Sequence, residues 1–594
     1  MLRTHTCLDL DKSDINKKVT LSGWVNKRRD HGSMIFIDLR DRYGITQIVF
    51  DPEVSSIAHE KAKILRNEWV ISIEGSVVLR KMINKNLKTG AIEISVDQIQ
   101  ILSKSKPSPF SIFEDKTETN EELRLKYRYL DIRRKPILDK LKIRHMAMLE
   151  TRNFYSEHGF LEVNTPILCK STPEGARDYL VPSRIYPGNF YALPQSPQIF
   201  KQLLMIGGID RYFQIAPCFR DEDLRADRQP EFTQIDVEMS FDGKEKLFEI
   251  VENHLTRVFK KCLDVDIKTP FERMSYTHAL EKYGTDKPDL RFSMEFERLD
   301  EIAKKSTFSI FLDTLKASNG CIKAINVKGG AEISRKKLDD LTSFVKPFKL
   351  KGLSFIKKTD SSLSSSLLKF FTPALLNELE KKLKLEDGDL AIIAADKDDI
   401  VNQGLDHLRR KIALDRGLIN KNIYKFLWVE EFPLFEYDEN EKRLKSVHHP
   451  FTAPSIKDLE ILEKEPLKVR ADAYDLVLNG YEIAGGSQRI FDSDVQSTIF
   501  KLLKLSDEDI KRKFGFFIDA LKYGTPPHGG IAYGFDRLIM ILTNTDNIRD
   551  VIAFPKTLKS LDLMLQSPGE VDEDQLKELE LETKEIKEIP WENT

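Results

Sequence analysis

The first hundred residues alternate between apolar and polar positions in short segments. These segments span residues 19–25, 34–39, 46–50, 69–79 and 92–101, with turn residues between them. A period of two is typical of strands that bury one face. Five such strands in so short a stretch predict a small β-barrel.

The second segment places Ile35, Ile37 and Leu39 on one face and Phe36 on the other. If the aliphatic face fills the barrel, Phe36 stands outside, near the basic residues 27–29. An outward aromatic beside cations is a stacking platform for unpaired bases. An aromatic covered by a neighbouring loop would give the same pattern, and the sequence leaves both interpretations open.

A charge-dense hairpin lies near the middle of the chain. Two strand-like runs, 212–219 and 231–241, flank a loop rich in arginines and acids, and the second run alternates aliphatic residues with Gln234, Asp236 and Glu238. Arg220 at a strand end is fixed by the sheet and suits a phosphate-bearing ligand. The neighbouring acids suit an amine or a metal. The alternative is a solvated hairpin loop.

Two further segments carry candidate chemistry. A glycine-punctuated strand at 529–534 leads into an apolar helix, which leaves Arg537 near the helix N-terminus, where an anion can bind. Close strand–helix packing, with Arg537 capped by an acid, is the alternative. Asp475 and Glu482 are spaced to hold Mg²⁺ jointly, or are surface acids.

A helix is predicted to open at Ser196 with Pro197 in its first position, which places Gln198 and Lys201 on one face. That face is either functional or a solvated edge. Residues 171–178 are a lid or a plain loop. The adjacent His448 and His449 point opposite ways on an extended strand, so the pattern argues against a shared metal.

The remaining pattern divides the chain. Residues 104–109 indicate a boundary, 121–160 have helical periodicity, and 425–435 are strand-like. Residues 290–420 differ in composition, with more Lys and Ser, and this change indicates an insertion that interrupts one larger domain. From Gly569 the tail is acidic, with helical spacing at the residues Leu576, Leu579, Ile586 and Ile589.

Composition narrows the class of protein. A chain of 594 residues contains several domains, and a net charge of −2 argues against an overall electrostatic attraction to nucleic acid. Five dispersed cysteines favour neither disulfides nor a zinc site. With no signal-like apolar start and no membrane-length apolar run, we expect a cytoplasmic protein without a membrane partner.

The segments 159–166, 219–236 and 529–537 follow the order of the three signature motifs of class II aminoacyl-tRNA synthetases. Further stretches resemble the bacterial-type aspartyl-tRNA synthetases, and the likeness spans nearly the whole chain. These stretches are 125–133, 172–183, 195–201, 219–236, 448–451 and 546–555.

The resemblance implies an α+β multidomain fold. It would comprise an OB-fold anticodon-binding barrel (1–105), a hinge (106–140), a class II antiparallel-sheet catalytic domain (141–289 and 421–565), an inserted GAD domain (290–420) and a C-terminal extension (566–594). Family members are homodimers, so the resemblance also implies a subunit interface around Pro166.

The implied reaction joins L-aspartate to tRNA-Asp with ATP and Mg²⁺; neither zinc nor an organic cofactor is expected. The implied catalytic residues are Arg220, Glu482 and Arg537, and the implied metal ligands are Asp475 and Glu482. The implied aspartate-binding residues are Glu174, Gln198, Lys201, Arg220, Asp236, His448, His449 and Arg489. The implied ATP-binding residues are Arg220, Asp221, Glu222, Gln229, Glu482, Gly534, Phe535, Asp536 and Arg537. The implied tRNA-binding residues are Arg29, Phe36, Gln47 and Arg225.

Lys201 and Arg489 would hold the side-chain carboxylate of aspartate, with Asp236 orienting both cations. This pairing argues against the nearest rivals, the asparaginyl- and lysyl-tRNA synthetases, whose substrates carry no side-chain anion. A catalytically silent homologue or an amide-forming enzyme without tRNA fits less well. His31 and a short 80–90 loop resemble enzymes that also charge tRNA-Asn.

Overall fold

The computed structural model describes residues 2–113, 119–171 and 176–584. Its N-terminal part is a closed barrel with the strand order β1-β2-β3-β5-β4. Its elements are β1 (Lys18–His31), β2 (Met34–Arg40), β3 (Ile45–Phe50), α1 (Ser56–Lys63), β4 (Val70–Leu79) and β5 (Ile92–Ser103). The predicted five-stranded barrel is confirmed.

The barrel interior follows from the alternation. Ile35, Ile37 and Leu39 are buried in one aliphatic core, while Phe36 lies half-buried on the outer face. Helix α1 packs against β2, β3 and β5. It begins after Ser55, whose Oγ accepts a hydrogen bond from the Ala58 N–H at 3.3 Å.

Three helices connect the barrel to the rest of the chain: α2 (Glu121–Lys126), α3 (Arg128–Asp131) and α4 (Lys135–Glu157). Arg133 bonds the barrel residue Glu68 at 2.9 Å and lies over Trp24. Arg128 donates to the carbonyls of Arg549 and Ile552 at 2.7 and 2.8 Å. The connecting helices are therefore bonded both to the barrel and to the C-terminal part of the chain.

The next elements form the first part of a larger domain. They are β6 (Leu161–Glu162), β7 (Leu180–Pro182), β8 (Phe190–Ala192), α5 (Gln198–Ile206), β9 (Arg211–Phe219), β10 (Glu231–Ser240), α6 (Lys244–Leu263), β11 (Glu272–Ser275) and α7 (Tyr276–Tyr283). Helix α5 begins at Gln198 with Pro197 as its N-cap, so it starts later than predicted.

An inserted domain follows, with its own five-stranded sheet in the order β12-β13-β16-β14-β15 and two aliphatic cores. Its elements are β12 (Phe296–Arg298), α8 (Asp300–Ala303), α9 (Ser309–Lys316), β13 (Gly320–Val327), α10 (Arg335–Val345), β14 (Ser354–Thr359), β15 (Ser362–Ser364), α11 (Pro373–Leu383), β16 (Leu390–Lys397) and α12 (Asp398–Asp415).

The chain then completes the larger domain. The elements are β17 (Phe426–Glu430), β18 (Phe435–Asp438), β19 (Arg443–Ser446), β20 (Ala473–Leu478), β21 (Tyr481–Gln488), α13 (Ser493–Leu502), α14 (Asp507–Leu521), β22 (His528–Gly534), α15 (Phe535–Leu542) and α16 (Glu573–Glu578). Short 3₁₀ helices lie at Lys12–Asp14, Gly330–Glu332, Lys346–Phe348, Leu368–Phe370, Ile456–Ile461, Pro466–Lys468 and Ile548–Asp550.

Two local expectations were wrong. The single strand expected over 425–435 is broken between β17 and β18, where Glu431 has a φ of 60° and Pro433 lacks an N–H for pairing. Helix α16 ends at Glu578, so Leu579 lies beyond it. Ile586 and Ile589 lie outside the described residues.

The larger domain is built on an eight-stranded sheet in the order β11-β17-β20-β21-β22-β10-β9-β6, antiparallel except for the β11–β17 and β6–β9 pairs. The apolar face of β10 packs into a core with α4, α6 and α15, in which Phe248 stacks on Trp428 at 3.9 Å. The polar face of β10 meets α5 instead. This second face carries the candidate site.

No helix within the described ranges combines the length and the apolar character needed to span a membrane.

Candidate active site

The polar face of the sheet lines a cavity of about 460 Å³. Its walls come from both sides of the insertion: α5, the β9–β10 hairpin, β21, β22 and the start of α15. The long-range sheet pairing therefore assembles the site from distant segments.

Two cations and two acids are buried together at one end of this cavity. Lys201 Nζ lies 3.1 Å from Asp236 Oδ1 and 3.3 Å from Glu238 Oε2. Arg489 Nε lies 2.9 Å from Glu238 Oε1, and its Nη2 lies 3.2 Å from Oε2. All four side chains are at most 2% exposed. Buried charges of this kind persist only when each is compensated.

Glu238 has a place because its neighbour has no side chain. Gly530 pairs with Glu238 across β10 and β22, and a Cβ at Gly530 would lie 1.8 Å from Glu238 Oε2. For this glycine-rich strand, close packing between strand and helix was the alternative interpretation. At Gly530 the absence of a side chain instead leaves room for the buried carboxylate of Glu238.

The pKa values of the two acids are shifted in opposite directions. Burial raises the pKa of Asp236, and the charge of Lys201 only partly offsets it. Burial also opposes ionisation of Glu238, but the charges of Arg489 and Lys201 outweigh it and lower the pKa. Glu238 is thus held as the anion. The Oδ2 atom of Asp236 has no hydrogen-bond partner among the described residues.

His449 is a neutral acceptor. Arg489 Nη1 donates to His449 Nε2 at 2.7 Å and to Ser487 Oγ at 2.6 Å. A guanidinium can only donate, so His449 Nε2 must be unprotonated. Burial, together with the charge of Arg489, lowers the pKa of His449 well below its usual value.

His448 has the opposite tendency. Its Nε2 lies 3.7 Å from Asp475 Oδ1. Burial disfavours its protonation, but the interaction with Asp475 and the charge of Glu482 outweigh burial and raise the pKa. The strand geometry expected for the two histidines is wrong, because β19 ends at Ser446.

The wall of the same cavity also carries Arg220 and Arg537. Arg220 directly follows β9 and lies over the ring of Phe232, and its buried Nε has no hydrogen-bond partner within the described chain. Arg537, in the first turn of α15, lies 3.2 Å from Asp227 Oδ2. Two guanidinium groups on fixed elements are suited to bind a polyphosphate.

Two further carboxylates lie close together, and one of them, Glu482, lines the cavity. Asp475 is on β20 and Glu482 on β21. A Cβ at Gly485 would lie 2.9 Å from Asp475 Oδ1 and 3.8 Å from Glu482 Oε1, so both acids converge beside this glycine. Burial and the charge of Asp475 raise the pKa of Glu482.

This pair fits Mg²⁺. Magnesium takes one or two protein carboxylates and completes its shell with water and phosphate oxygens. Within the described ranges, no cluster of three or more His, Cys, Asp or Glu side chains is arranged to hold a metal. The carboxylate pair therefore matches the protein ligands of a Mg²⁺ ion that also takes phosphate and water oxygens.

Other candidate residues make hydrogen bonds and packing contacts within the protein. The Gln229 amide exchanges two hydrogen bonds with the Lys556 backbone, at 2.9 and 2.8 Å. Asp536 accepts the Thr233 N–H at 2.7 Å, and Phe535 is buried below Arg144.

Of the remaining candidates, Gln198, Glu222 and Gly534 line the same cavity. Gly534 pairs with Gln234, Glu222 pairs with Arg228 at 2.8 Å, and Asp221 donates its N–H to the Arg177 carbonyl. The buried Nε2 of Gln198 has no hydrogen-bond partner among the described residues. Arg225 is exposed in the hairpin loop. Glu174 lies outside the described residues, as does half of the segment 171–178 that was considered as a lid.

On the barrel, Phe36 lies opposite Arg29 in the β1–β2 register. Arg29 forms a bidentate pair with Asp38 at 2.6 and 2.9 Å and reaches Gln47 Oε1 at 3.1 Å. The chain of contacts ends at Glu93, which accepts from Gln47 Nε2 at 2.5 Å. An ordered polar network therefore flanks a half-exposed aromatic, the arrangement of a base-stacking surface.

Family models match both parts of the chain. A model described as tRNA synthetases class II (D, K and N) matches residues 120–558, and one described as OB-fold nucleic acid binding domain matches residues 19–102. The chain belongs to the class II tRNA synthetases (D, K and N). The predicted class II and OB folds are thereby confirmed.

Curated relatives align with this synthetase almost end to end. The Aspartate--tRNA(Asp/Asn) ligase of Protochlamydia amoebophila is 59% identical over 98% of this chain and 97% of its own length. The ligase of the same name from Caldanaerobacter subterraneus is 55% identical over 98% of each chain. That from Chlamydia muridarum is 55% identical over 98% of this chain and 99% of its own.

Solved structures share the fold of the synthetase. Asparaginyl-tRNA synthetase from Pyrococcus horikoshii, complexed with asparaginyl-adenylate, has a TM-score of 0.59 at 20% identity, covering 94% of this chain and 100% of that one. A putative aspartyl-tRNA synthetase from Leishmania major has a TM-score of 0.57 at 18% identity, covering 93% of each chain. At such identities the likeness shows the fold alone.

The structure gives the synthetase site two contacts that the sequence did not assign. Glu238, named in the sequence only as one acid on the polar face of its strand, contacts both Lys201 and Arg489, whereas among the described residues the expected orienting residue, Asp236, forms its ion pair with Lys201. The alternation of β10, which sets both acids on one face, was a signal for Glu238. Ser487, as a partner of Arg489, had no signal in the sequence.

Proposed function

We propose that the protein is an aspartate–tRNA ligase, which activates L-aspartate with ATP and transfers it to the 3′ end of tRNA-Asp. The observation that supports this most strongly is the buried pair of cations, Lys201 and Arg489, in a cavity that is also lined by Arg220 and Arg537. The near-full-length likeness to aspartate ligases supports the same assignment.

Counting donors explains the preference for aspartate. Lys201 has three N–H donors and two acidic partners; Arg489 has five, of which four engage Glu238, Ser487 and His449. One donor remains on each cation, which matches the two oxygens of a single carboxylate. The NH₂ group of an asparagine side chain would point its donors at one of these donors. A lysine ammonium group would be repelled by both cations.

Activation brings an aspartate α-carboxylate to the α-phosphorus of ATP, one anion against another. Arg220 would lie on the α-phosphate side and Arg537 at the far phosphates, which lowers the repulsion and aligns the reactants. Asp475 and Glu482 would hold Mg²⁺, which neutralises phosphate charge. Lys201, Arg489 and Asp236 would orient the amino acid, with Glu174 and Gln198 near its ammonium group.

Around the nucleotide, Asp221, Glu222 and Gln229 would meet the adenosine part of ATP, and residues 534–537 its phosphate end. No side-chain nucleophile is required. The free Oδ2 of Asp236 and the unpartnered Nε2 of Gln198 are polar atoms that a bound amino acid would satisfy.

The tRNA would span two surfaces. Arg29, Phe36 and Gln47 would bind the anticodon on the barrel, and the exposed Arg225 would meet the acceptor end. The enzyme would act in the cytoplasm, where its tRNA substrates are.

A second copy of the chain would cover the surface near Pro166. Apolar side chains that are at least 40% exposed cluster there in the sequence: Leu161, Ile167, Leu168, Leu180, Ile185, Tyr186, Phe190 and Tyr191. Exposed apolar residues in this number mark interaction surfaces. The homodimer is proposed on this basis.

Exchange of ATP with labelled pyrophosphate tests the activation step. We expect exchange with L-aspartate, and exchange with asparagine slower by about a thousandfold or more in kcat/KM, because a site built to bond one group rejects its isostere strongly. Lysine, the third amino acid tested, should give none. Equal rates with aspartate and asparagine would overturn the proposal.

We also propose aspartylation of tRNA-Asn. His31 is exposed at the end of β1, on the barrel that would read the anticodon, and the relatives named above are Asp/Asn ligases. The expected result is aspartate transfer to both purified tRNAs, within about tenfold in rate. Transfer to tRNA-Asp alone would show a strict enzyme.

A further inference from the structure

Lys287 lies beside a proposed metal ligand but has no part in the reaction as described so far. It belongs to the segment between α7 and β12, and its Nζ lies 3.8 Å from Glu482 Oε2 and 4.0 Å from Asp286 Oδ1. Both contacts are longer than a hydrogen bond. The side chain is 46% exposed and has room to move.

A second cavity, of about 1110 Å³, opens at this point. It shares Asp227, Arg228, Glu482 and Arg537 with the first cavity, and Lys287 lines its wall. Lys287 therefore lines a cavity that also reaches Arg537, the proposed phosphate-binding residue.

The segment that carries Lys287 is fixed. Asp289 packs against the tight turn before Glu482, where Gly480 has a φ of +85° and a Cβ would lie 3.1 Å from Asp289 Cβ. The fully buried Arg409 of α12 donates to the carbonyls of Asp289, Phe292 and Met294 at 3.1 to 3.3 Å. Thus a helix of the inserted domain determines where Lys287 stands.

We propose that Lys287 binds the β- and γ-phosphates of ATP, and the pyrophosphate formed from them, on an arm anchored by the inserted domain. The inference rests on the proposed function. When a metal occupies Glu482, the carboxylate near Lys287 is taken, and the nearest incoming anion is the phosphate chain at Arg537. Arg537 is itself partly neutralised by Asp227, so the site needs a further cation there.

The test is the variant Lys287→Met, which removes the positive charge and keeps a side chain of similar length. We expect the KM for ATP and, in the reverse reaction, the KM for pyrophosphate to rise about tenfold, the effect of one charge-assisted hydrogen bond. The KM for aspartate and the melting temperature should not change. Titration calorimetry should show about tenfold weaker binding of pyrophosphate with Mg²⁺.

Two variants complete the design. Lys287→Arg should retain most of the phosphate affinity, which a role in packing alone would not predict. The matched control is Lys316→Met, an exposed lysine on α9 that pairs only locally with Asp313. Unchanged pyrophosphate binding in Lys287→Met, or a parallel rise in the KM for aspartate, would overturn the inference. Absence of aspartate-dependent exchange in the unmodified protein would instead overturn the proposed function.

Discussion

Replacing Arg489 with methionine is expected to lower kcat/KM for aspartate in pyrophosphate exchange by about a thousandfold. The side chain is fully buried and bonds both oxygens of Glu238, so its loss removes one of the two donors for the substrate carboxylate. It also leaves Glu238 with Lys201 as its sole remaining cation. Breaking a buried, hydrogen-bonded charge pair costs about 3–5 kcal/mol, and about 4 kcal/mol corresponds to that factor.

Steady-state exchange at varied aspartate concentration measures this effect. Arg470→Met is the matched control, because Arg470 forms a comparable bidentate pair with Asp458 but is 38% exposed. Surface pairs contribute about 0–1 kcal/mol, so exchange should stay near that of the unmodified enzyme. An Arg489→Met enzyme within tenfold of the unmodified one would show that the pocket selects aspartate by other contacts.

The second large effect is expected for Glu238→Gln. The amide keeps the shape but removes the anion shared by Lys201 and Arg489, which leaves one uncompensated positive charge on side chains that are at most 2% exposed. We expect the catalytic domain to lose about 3–5 kcal/mol of unfolding free energy. Scanning calorimetry should show its transition several degrees lower.

The pH dependence of this loss has a defined sign. The pKa of Glu238 is lower in the folded protein than its ordinary value of 4.5. Its stabilisation is therefore complete above the unfolded pKa and is lost as the pH falls through the folded one. The difference between the unmodified enzyme and Glu238→Gln should narrow in acid below pH 4.5.

Glu245→Gln is the control for Glu238→Gln. Glu245 also pairs with an arginine, Arg273, but is 66% exposed. Its substitution should leave the calorimetric transition almost unchanged. Equal shifts for both variants, or a Glu238→Gln transition at the position of the unmodified enzyme, would contradict a central role for the buried acid.

Much of the fold could be predicted from local pattern. The two-residue period of residues 34–39 placed Ile35, Ile37 and Leu39 inside the barrel, because a strand that buries one face must alternate. The change in amino-acid composition over 290–420 predicted an insertion, and these residues form a separate five-stranded sheet. The two-residue period did not show where strands end: β17 ends before Pro433, which cannot donate to a strand pair, and β19 ends at Ser446, before His448.

The candidate site was predictable as a set of side chains but not as an arrangement. By itself the sequence determined that Asp236 and Glu238 share one face of a strand, that Arg220 ends a strand, and that Arg537 begins a helix. These are consequences of backbone period and of helix and strand boundaries, which a few neighbouring residues determine.

Only the tertiary structure decided which charges meet. Lys201 reaches Asp236 across 35 residues of chain, and Arg489 reaches Glu238 across 251, with the whole inserted domain between them. Some adjacent strands of the central sheet, such as β22 and β10, are far apart in sequence, so the partner of a buried charge depends on sheet pairing. The same pairing gives Gly530 its role, since the room for Glu238 exists only once β22 lies beside β10.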